Sequence, residues 1–231
     1  MNIDPQTLIL ETIAQKSVLK QNIYENTITS FKMLRSVCKY ITQNTRKSLK
    51  DSNTKIAIEY KESGSFQIEM QIAGDLLVFA MHTNVFVFDR SHPIWKTPMV
   101  NKDPNSAYCG VINIYNFLAD SFKYNRSEDV GYLIGRIFIN RHMNFMVEGK
   151  RQLGILYNNF GEEVVDKRSM RNVVQSAILY ALDFDLLVPP YDQSAIVTVA
   201  QMQDKNTYAN MKTGKRLGFK FYNENDESLS I

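Results

Sequence analysis

The chain has 231 residues, of which 44% are apolar and 11% aromatic, enough to bury a core and too apolar for a disordered chain. A formal net charge of +3 is too mild to argue for nucleic acid by itself, and two cysteines in unlike settings, Cys38 and Cys109, make no disulfide framework. No stretch approaches the ~18 uninterrupted apolar residues of a membrane span, and MNIDPQTLILETIAQ carries neither a basic n-region nor a small-residue cleavage site, so the expected compartment is the reducing cytoplasm.

The charge is uneven. Residues 1–50 hold eight basic residues against three acidic ones, a balance of +5, which leaves −2 for the rest of the chain. Asp4-Pro5 reads as a helix start, with Asp4 as N-cap and Pro5 at the first helical position, where a missing N–H costs nothing. No glycine and no further proline follow until about Leu49. Tyr24, Ile28, Phe31, Leu34, Cys38 and Ile41 form a near-heptad seam, and Leu10, Ile13, Ala14 and Val18 a shorter one. Asn22, Asn26 and the β-branched Thr27-Ile28-Thr29 predict a weak point near 22–27. An unbroken helix would be roughly 65 Å long, too long to pack wholly on one small domain.

A second stripe on this helix is basic: Lys32, Arg35, Lys39, Arg46 and Lys50. It reads first as the solvated flank of a docked helix or coiled coil, and second as an edge for nucleic acid or an acidic partner. No aromatic interleaves it for base stacking.

After a linker-like break at Lys50–Asn53 come the strands. Ile56, Ile58 and Tyr60 open the sheet. Phe66, Ile68, Met70 and Ile72 alternate with Gln67, Glu69 and Gln71, the period-2 signature of a strand with one wet face. Leu76–Met81 is apolar on both faces and predicts a central, covered strand, with His82-Thr83-Asn84 a tight connection into Val85–Phe88 and a continuing meander. Arg90–Ala107 holds Pro93, Pro98, Pro104 and Trp95 without periodicity, and reads as a surface loop pinned by Trp95 or as a lid. In residues 108–124, Val111, Tyr115, Leu118 and Phe122 match a helix face, while Val111-Ile112-Asn113-Ile114 would equally open a strand; of the two, a helix is the expectation. Gly131–Gly149 reads as a hairpin turning near Asn140-Arg141-His142, and Leu153–Tyr157 as a further strand. Glu162–Leu186 is expected to be helical, with Glu162 and Glu163 at its positive end and Pro189-Pro190 as its stop. Ile196–Val199 and Leu217–Tyr222 read as last strands, before an acidic tail.

Motifs exclude more than they assign. His82, His92 and His142 lie in three separate turns or loops, with no H-E-x-x-H, C-x-x-C or D-x-D-x-D-G spacing, so neither metal nor cofactor is expected. Cys109 sits among apolar residues, which suits a structural thiol better than a nucleophile. Lys212-Thr213-Gly214-Lys215 lacks the leading glycine of a phosphate loop and reads as a basic turn. Two oddities remain. Arg136 falls on an apparent strand face with Tyr132, Ile134 and Phe138, where a guanidinium needs a partner; Glu148 on the facing strand, or an anionic ligand, would supply one. Asp183 and Asp185 stand at a helix C-terminus, against the dipole, and point to different sides.

The expected fold is α+β: a long N-terminal helix, then an antiparallel β-sheet of about six to eight strands covered by one or two helices. The expected organisation is a helical segment over 1–50 that serves as a dimerisation helix, a sheet domain over 51–223 and an acidic tail over 224–231. The leading functional expectation is a cytoplasmic, regulatory or sensor-like binding module, meeting a second copy or a protein partner through the helix, with no membrane. It would hold a small anionic ligand near Arg136, Glu148, His82 and Trp95. The alternatives are a small enzyme with a site assembled from His82, Asp89, Arg136 and Glu148, and a nucleic-acid accessory protein using the basic stripe.

Overall fold

The computed structural model describes residues 4–49, 55–127, 129–150, 153–154 and 160–185, together with residues 188, 191, 196, 198 and 199. Lys50, the break at 51–53, the Pro189-Pro190 stop, the strands expected over 196–199 and 217–222, the turn at 212–215 and the tail lie wholly or partly outside these residues. Leu153-Gly154 is helical where a strand was expected, and residues 155–157 fall outside the description.

The 45 residues from Pro5 to Leu49 make one rod. Asp4 caps helix α1 (Pro5–Thr12) by accepting the Thr7 N–H, with Pro5 in the first turn. A π-turn, Ile13–Ser17, leads without a gap into α2 (Val18–Leu49). At a rise of about 1.5 Å per residue the rod is about 67 Å long. The weak point expected near 22–27 is absent, and the irregularity lies ten residues earlier. The polar side chains that would break an isolated helix are satisfied locally: Thr27 Oγ1 donates to the Ile23 carbonyl at 2.7 Å and Ser30 Oγ to the Asn26 carbonyl at 2.8 Å. Asn26 Nδ2 donates to the carbonyls of Asn140 and Arg141, which ties the helix to the hairpin tip.

Among the described residues the sheet has seven strands, antiparallel throughout: β1 (Ile58–Glu62), β2 (Gln67–Ile72), β3 (Asp75–Met81), β4 (Phe86–Val87), β5 (Tyr108–Leu118), β6 (Tyr132–Ile139) and β7 (Phe145–Gly149). The main order is β1-β2-β3-β5-β6-β7, and the short β4 pairs with the start of β5. In β2 the apolar Ile68, Met70 and Ile72 are buried and the three polar residues half-buried, as the alternation predicts. β3 is buried along almost its whole length, as a central strand should be.

Two expectations about this sheet are corrected. Residues 108–118 are strand, and only Ala119–Lys123 is helical (α4). β5 lies between β3 and β6 and buries residues of both its faces, so its apolar positions follow no period of two and mimic a helical stripe by coincidence. The meander also stops at β3, because β4 crosses over to pair with Cys109 and Tyr108 of β5.

One face of the sheet is sealed by α2 and by α5 (Lys167–Leu182). Phe31, Leu34, Val37, Cys38 and Ile41 from α2 meet Met170, Val173, Val174 and Ala177 from α5 over Ile68, Phe79, Ile112 and Ile137. The seam read from the sequence is therefore covered by the chain's own sheet. α5 begins at Asp166 and not at Glu162: Asp166 accepts the Ser169 N–H while Ser169 Oγ accepts the Asp166 N–H, a reciprocal capping box. Glu163 and Val164 instead lie along the edge of β7, where the Glu163 carbonyl accepts the Phe145 N–H.

The other face carries a cap over one end. Residues 93–107 form three short helical turns, Pro93–Lys96, Pro98–Lys102 (α3) and Pro104–Ala107, each opened by a proline at its first position. The stretch is thus ordered and packed, as the Trp95-pinned reading has it. Trp95 Nε1 donates to the carbonyls of Asp89 and Phe88 at 2.8 and 3.2 Å, and the Arg90 guanidinium lies 3.8 Å from its ring centroid. Ile94, Val100 and Ala107 close a second core with Val111, Phe138 and Met146. His142 and Arg141 at the hairpin tip hold Asp103 of this cap at 3.2 and 3.6 Å. Partial burial raises the Asp103 carboxyl, but hydrogen bonds from His142, Ser106 and the Asn105 N–H, with the Arg141 charge, outweigh it and hold it below the usual range.

Candidate functional site

Arg136 is displaced from its expected setting by one residue. Ile114 pairs with Gly135 and Tyr115 with Leu133, so Ile134 is the extra residue of a β-bulge in β6. The bulge breaks the alternation. Tyr132 and Ile134 turn to the helix-covered core, while Arg136 and Phe138 lie on the opposite face. There Arg136 pairs with Glu148, its register partner on β7: Nε donates to Glu148 Oε2 at 2.9 Å and Nη2 donates to the same oxygen. Its guanidinium carbon stands 5.3 Å from the Phe138 ring centroid. The side chains are 41% and 50% exposed, so this is a solvated surface pair on the open part of the face.

Beside it lies a cleft of about 290 Å³, lined by His82, Phe86, Phe88, Asp89, Asn113, Arg136 and Phe138 among others. The crossing of β4 to β5 forms one wall, and Phe86 and Val87 remain exposed on it. A second hollow of about 420 Å³ opens under the 92–97 segment, between Ile94, Met146, Glu148 and Phe160. The structure therefore brings His82, Asp89 and Arg136 to one cleft, with Glu148 bonded to Arg136 and lining the neighbouring hollow. Trp95 lines neither; its indole anchors the cap.

Three polar groups of the cleft, on His82, Asp89 and Arg136, are engaged with near neighbours. His82 Nδ1 accepts the Asn84 N–H at 3.0 Å, which places the proton of the neutral ring on Nε2, and the ring meets Phe86 edge-on at 4.7 Å. Asp89 Oδ1 accepts from Ser91 Oγ and from the Ser91 N–H, and these bonds hold its carboxyl below the usual range. Of the four residues His82, Asp89, Arg136 and Glu148, only the last two bond to each other. Asn113 on the cleft floor was missed from the sequence. Read as part of a strand, a lone amide between Ile112 and Ile114 would have signalled it. Cys109 and Cys38 are free and buried, and burial pushes both thiols up, away from the nucleophilic thiolate.

The basic stripe is divided. Arg35 bonds Glu62 at 3.3 Å and donates to the carbonyls of Gly64 and Ser65, and Arg46 donates to the Ile58 carbonyl at 2.6 and 3.1 Å. Both arginines therefore fasten the helix to β1 and its turn. Lys32 and Lys39 are exposed, and Lys50 lies outside the described residues.

The second seam has a different fate. Every residue from Asp4 to Val18 is exposed; Leu19 is the first buried one. Leu8, Ile9, Leu10, Ile13 and Val18 are 51–58% exposed, so the first three to four turns form an arm that extends past the domain. The π-turn holds an extra residue relative to α-helix and shifts the phase by about 100°. By that count Leu10, Ile13 and Ala14 face roughly away from the side of α2 that meets the sheet.

Among the described residues no three His, Cys, Asp or Glu side chains are grouped to hold a metal ion, and no helix is long and apolar enough to cross a membrane. Set against known families, curated proteins and solved structures, the chain matches no family model, no curated protein and no solved structure.

Proposed function

We propose that this chain is an interaction module whose working surface is the N-terminal helical arm, residues 5–18. One observation carries the reading: five large apolar side chains, each more than half exposed, stand on a helix that continues past its own domain. Fourteen residues of helix in water are marginal by propensity alone, and a helix with Leu8-Ile9-Leu10 spread round its circumference is of the kind that a partner encloses. Scattered single apolar residues on a surface need no explanation, but a contiguous run on a projecting element does.

Leu10→Ser/Ile13→Ser is expected to leave the stability of the domain within about 0.5 kcal/mol of the parent in urea unfolding, because neither side chain packs on the body. In the parent, amide hydrogens of residues 5–18 should exchange fast when the protein is dilute and slow on association; in the variant they should stay fast. A loss of stability above about 2 kcal/mol would make the arm a structural part of the fold and remove this reading.

A second reading rests on the cleft. Asn113, the His82 Nε2–H and the aromatic rings of Phe86, Phe88 and Phe138 suit a small ring compound bearing hydrogen-bonding groups, and the volume falls near the low end for ligand sites. The Glu148 bond to Arg136 and the nearby Asp89 oppose a full anionic charge, so amide-bearing rings should be preferred over carboxylates. Arg136→Ala should cost under about 1 kcal/mol of stability, as exposed ion pairs do. Titration with benzamide and with benzoate, followed by amide chemical shifts, tests the site. Perturbations confined to 82–89, 109–113 and 136–138 support it, and none at millimolar ligand would remove it.

A further inference from the structure

We propose that the cleft beside Arg136 recognises a planar cyclic imide, a ring whose edge presents carbonyl, N–H and carbonyl in turn, through Asn113 and Arg136. This rests on the second reading above, the cleft as a ligand site, and names the ligand class.

The sheet register lays out the cleft floor. Residues paired across antiparallel strands point to the same side, so Ala80, Asn113, Arg136 and Glu148 form one row across β3, β5, β6 and β7. His82, Val111 and Phe138 form the next row, the His82 N–H donating to the Val111 carbonyl at 2.9 Å. Asn113 is the group left without a use. It is half-buried, and its side-chain amide bonds to none of the described residues. Ala80 on one side is too short to reach it, and Arg136 on the other is turned to Glu148. An amide held this way forgoes hydrogen bonds that a ligand supplies.

Donors outnumber acceptors at this end of the cleft. Both Arg136 bonds run from Nε and Nη2 to Glu148 Oε2, which leaves Nη1 and its hydrogens. His82 adds its Nε2–H, and Asn113 offers an NH2 group and a single carbonyl oxygen. The matching edge is mostly acceptor, with one donor. In an imide the N–H goes to Asn113 Oδ1, one carbonyl accepts from Asn113 Nδ2, and the other accepts from Arg136 Nη1. The two oxygens of an imide stand about one strand spacing apart, and Asn113 and Arg136 sit opposite each other on adjacent strands, ~4.8 Å apart. The rings of Phe86, Phe88 and Phe138 supply apolar walls. Asp89 lies at the other end of the cleft, three residues beyond the pairing of Phe86 with Cys109. An anionic tail on the ring would meet it, so the ligand is a neutral ring and not a phosphorylated one.

Amide chemical shifts of the full chain test this, in titrations with uracil, uracil methylated on the imide nitrogen, cytosine and benzamide. Uracil should move residues 82–89, 109–113 and 136–138 and saturate at about millimolar concentration, because a single small ring gains little in an open cleft. Methylation removes the donor, and cytosine replaces the N–H by an acceptor and one carbonyl by an amino group. Each should bind about 3- to 10-fold more weakly than uracil, the range for a lost hydrogen bond. Benzamide should also bind more weakly. Asn113→Leu should weaken uracil about tenfold and Arg136→Ala about threefold, both at the parent's thermal midpoint.

Equal binding of uracil and its methylated form, or of uracil and benzamide, overturns the imide and leaves the cleft a ligand site. An Asn113→Leu protein that binds uracil like the parent overturns it as well. If none of the four compounds moves the cleft residues at millimolar concentration, the reading of the cleft as a ligand site falls too.

Discussion

Gly110→Ala is expected to destabilise the protein by about 2–4 kcal/mol, near the upper end for overpacking. Gly110 lies on β5 where α2 crosses it, and a β-carbon there would stand 2.8 Å from Thr27 Cβ and 2.9 Å from Thr27 Cγ2, with Oγ1 closer still. Thr27 has no room to yield. It is fully buried, β-branched, and its hydroxyl is bonded to the Ile23 carbonyl. Either the helix lifts from the sheet or the strand bends. Thr27→Ala removes two of the three opposing atoms, so the double variant should be more stable than Gly110→Ala plus Thr27→Ala would predict from their sum. Urea unfolding of the four proteins measures that coupling. A Gly110→Ala protein as stable as the parent would show that α2 does not sit this close to β5.

Phe31→Ala is expected to cost about 3–5 kcal/mol, the range for removing a buried aromatic side chain. Phe31 is 2% exposed and joins α2 to the sheet core, and the Arg35 guanidinium stands 5.1 Å from its ring centroid. For a chain of this size the thermal midpoint should fall by roughly 10 °C, at 2–4 °C per kcal/mol. The result separates two roles for the long helix. If residues 19–49 are part of the domain core, Phe31→Ala weakens the monomer at any concentration. A loss below about 1 kcal/mol, or one that appears only where the protein associates, would mean that this seam meets something other than its own sheet.

The contrast between these residues and Ile13 describes the helix. Both seams look alike in the sequence: apolar residues at spacings of three and four. The period of a helical stripe says that one face needs covering and not what covers it, since a sheet, a second helix and a partner chain all present the same apolar surface. The near-heptad seam of Tyr24–Ile41 resembles a coiled-coil interface and is in fact packed on the sheet core. The shorter one over Leu10–Val18 is the one left uncovered.

What the sequence determined by itself was local. Asp4-Pro5 starts the helix because a carboxylate can accept an orphan N–H and proline lacks one to lose. Three prolines start three helical turns in the cap for the same reason. The alternation of Phe66–Ile72 sorts wet from dry residues on a strand with one covered face, and the unrelieved apolar run after it marks the strand in the middle. These signals need only neighbours in the chain.

What the tertiary structure alone decided depended on distant residues. β5 is apolar on both faces because β3, β6, α2 and the cap surround it, which erased its strand period and gave it a false helical one. One inserted residue, Ile134, moved Arg136 to the other face of the sheet from Tyr132; Gly135 beside it is a local hint of a bulge but does not say which way the strand turns. The cleft exists because β4 leaves the meander to pair with residues more than twenty positions further on. Which of two similar seams is buried was settled by where the domain ends along a rod about 67 Å long. Periodicity reports how a segment divides its own surface, whereas contact between segments is fixed by packing summed over the whole chain.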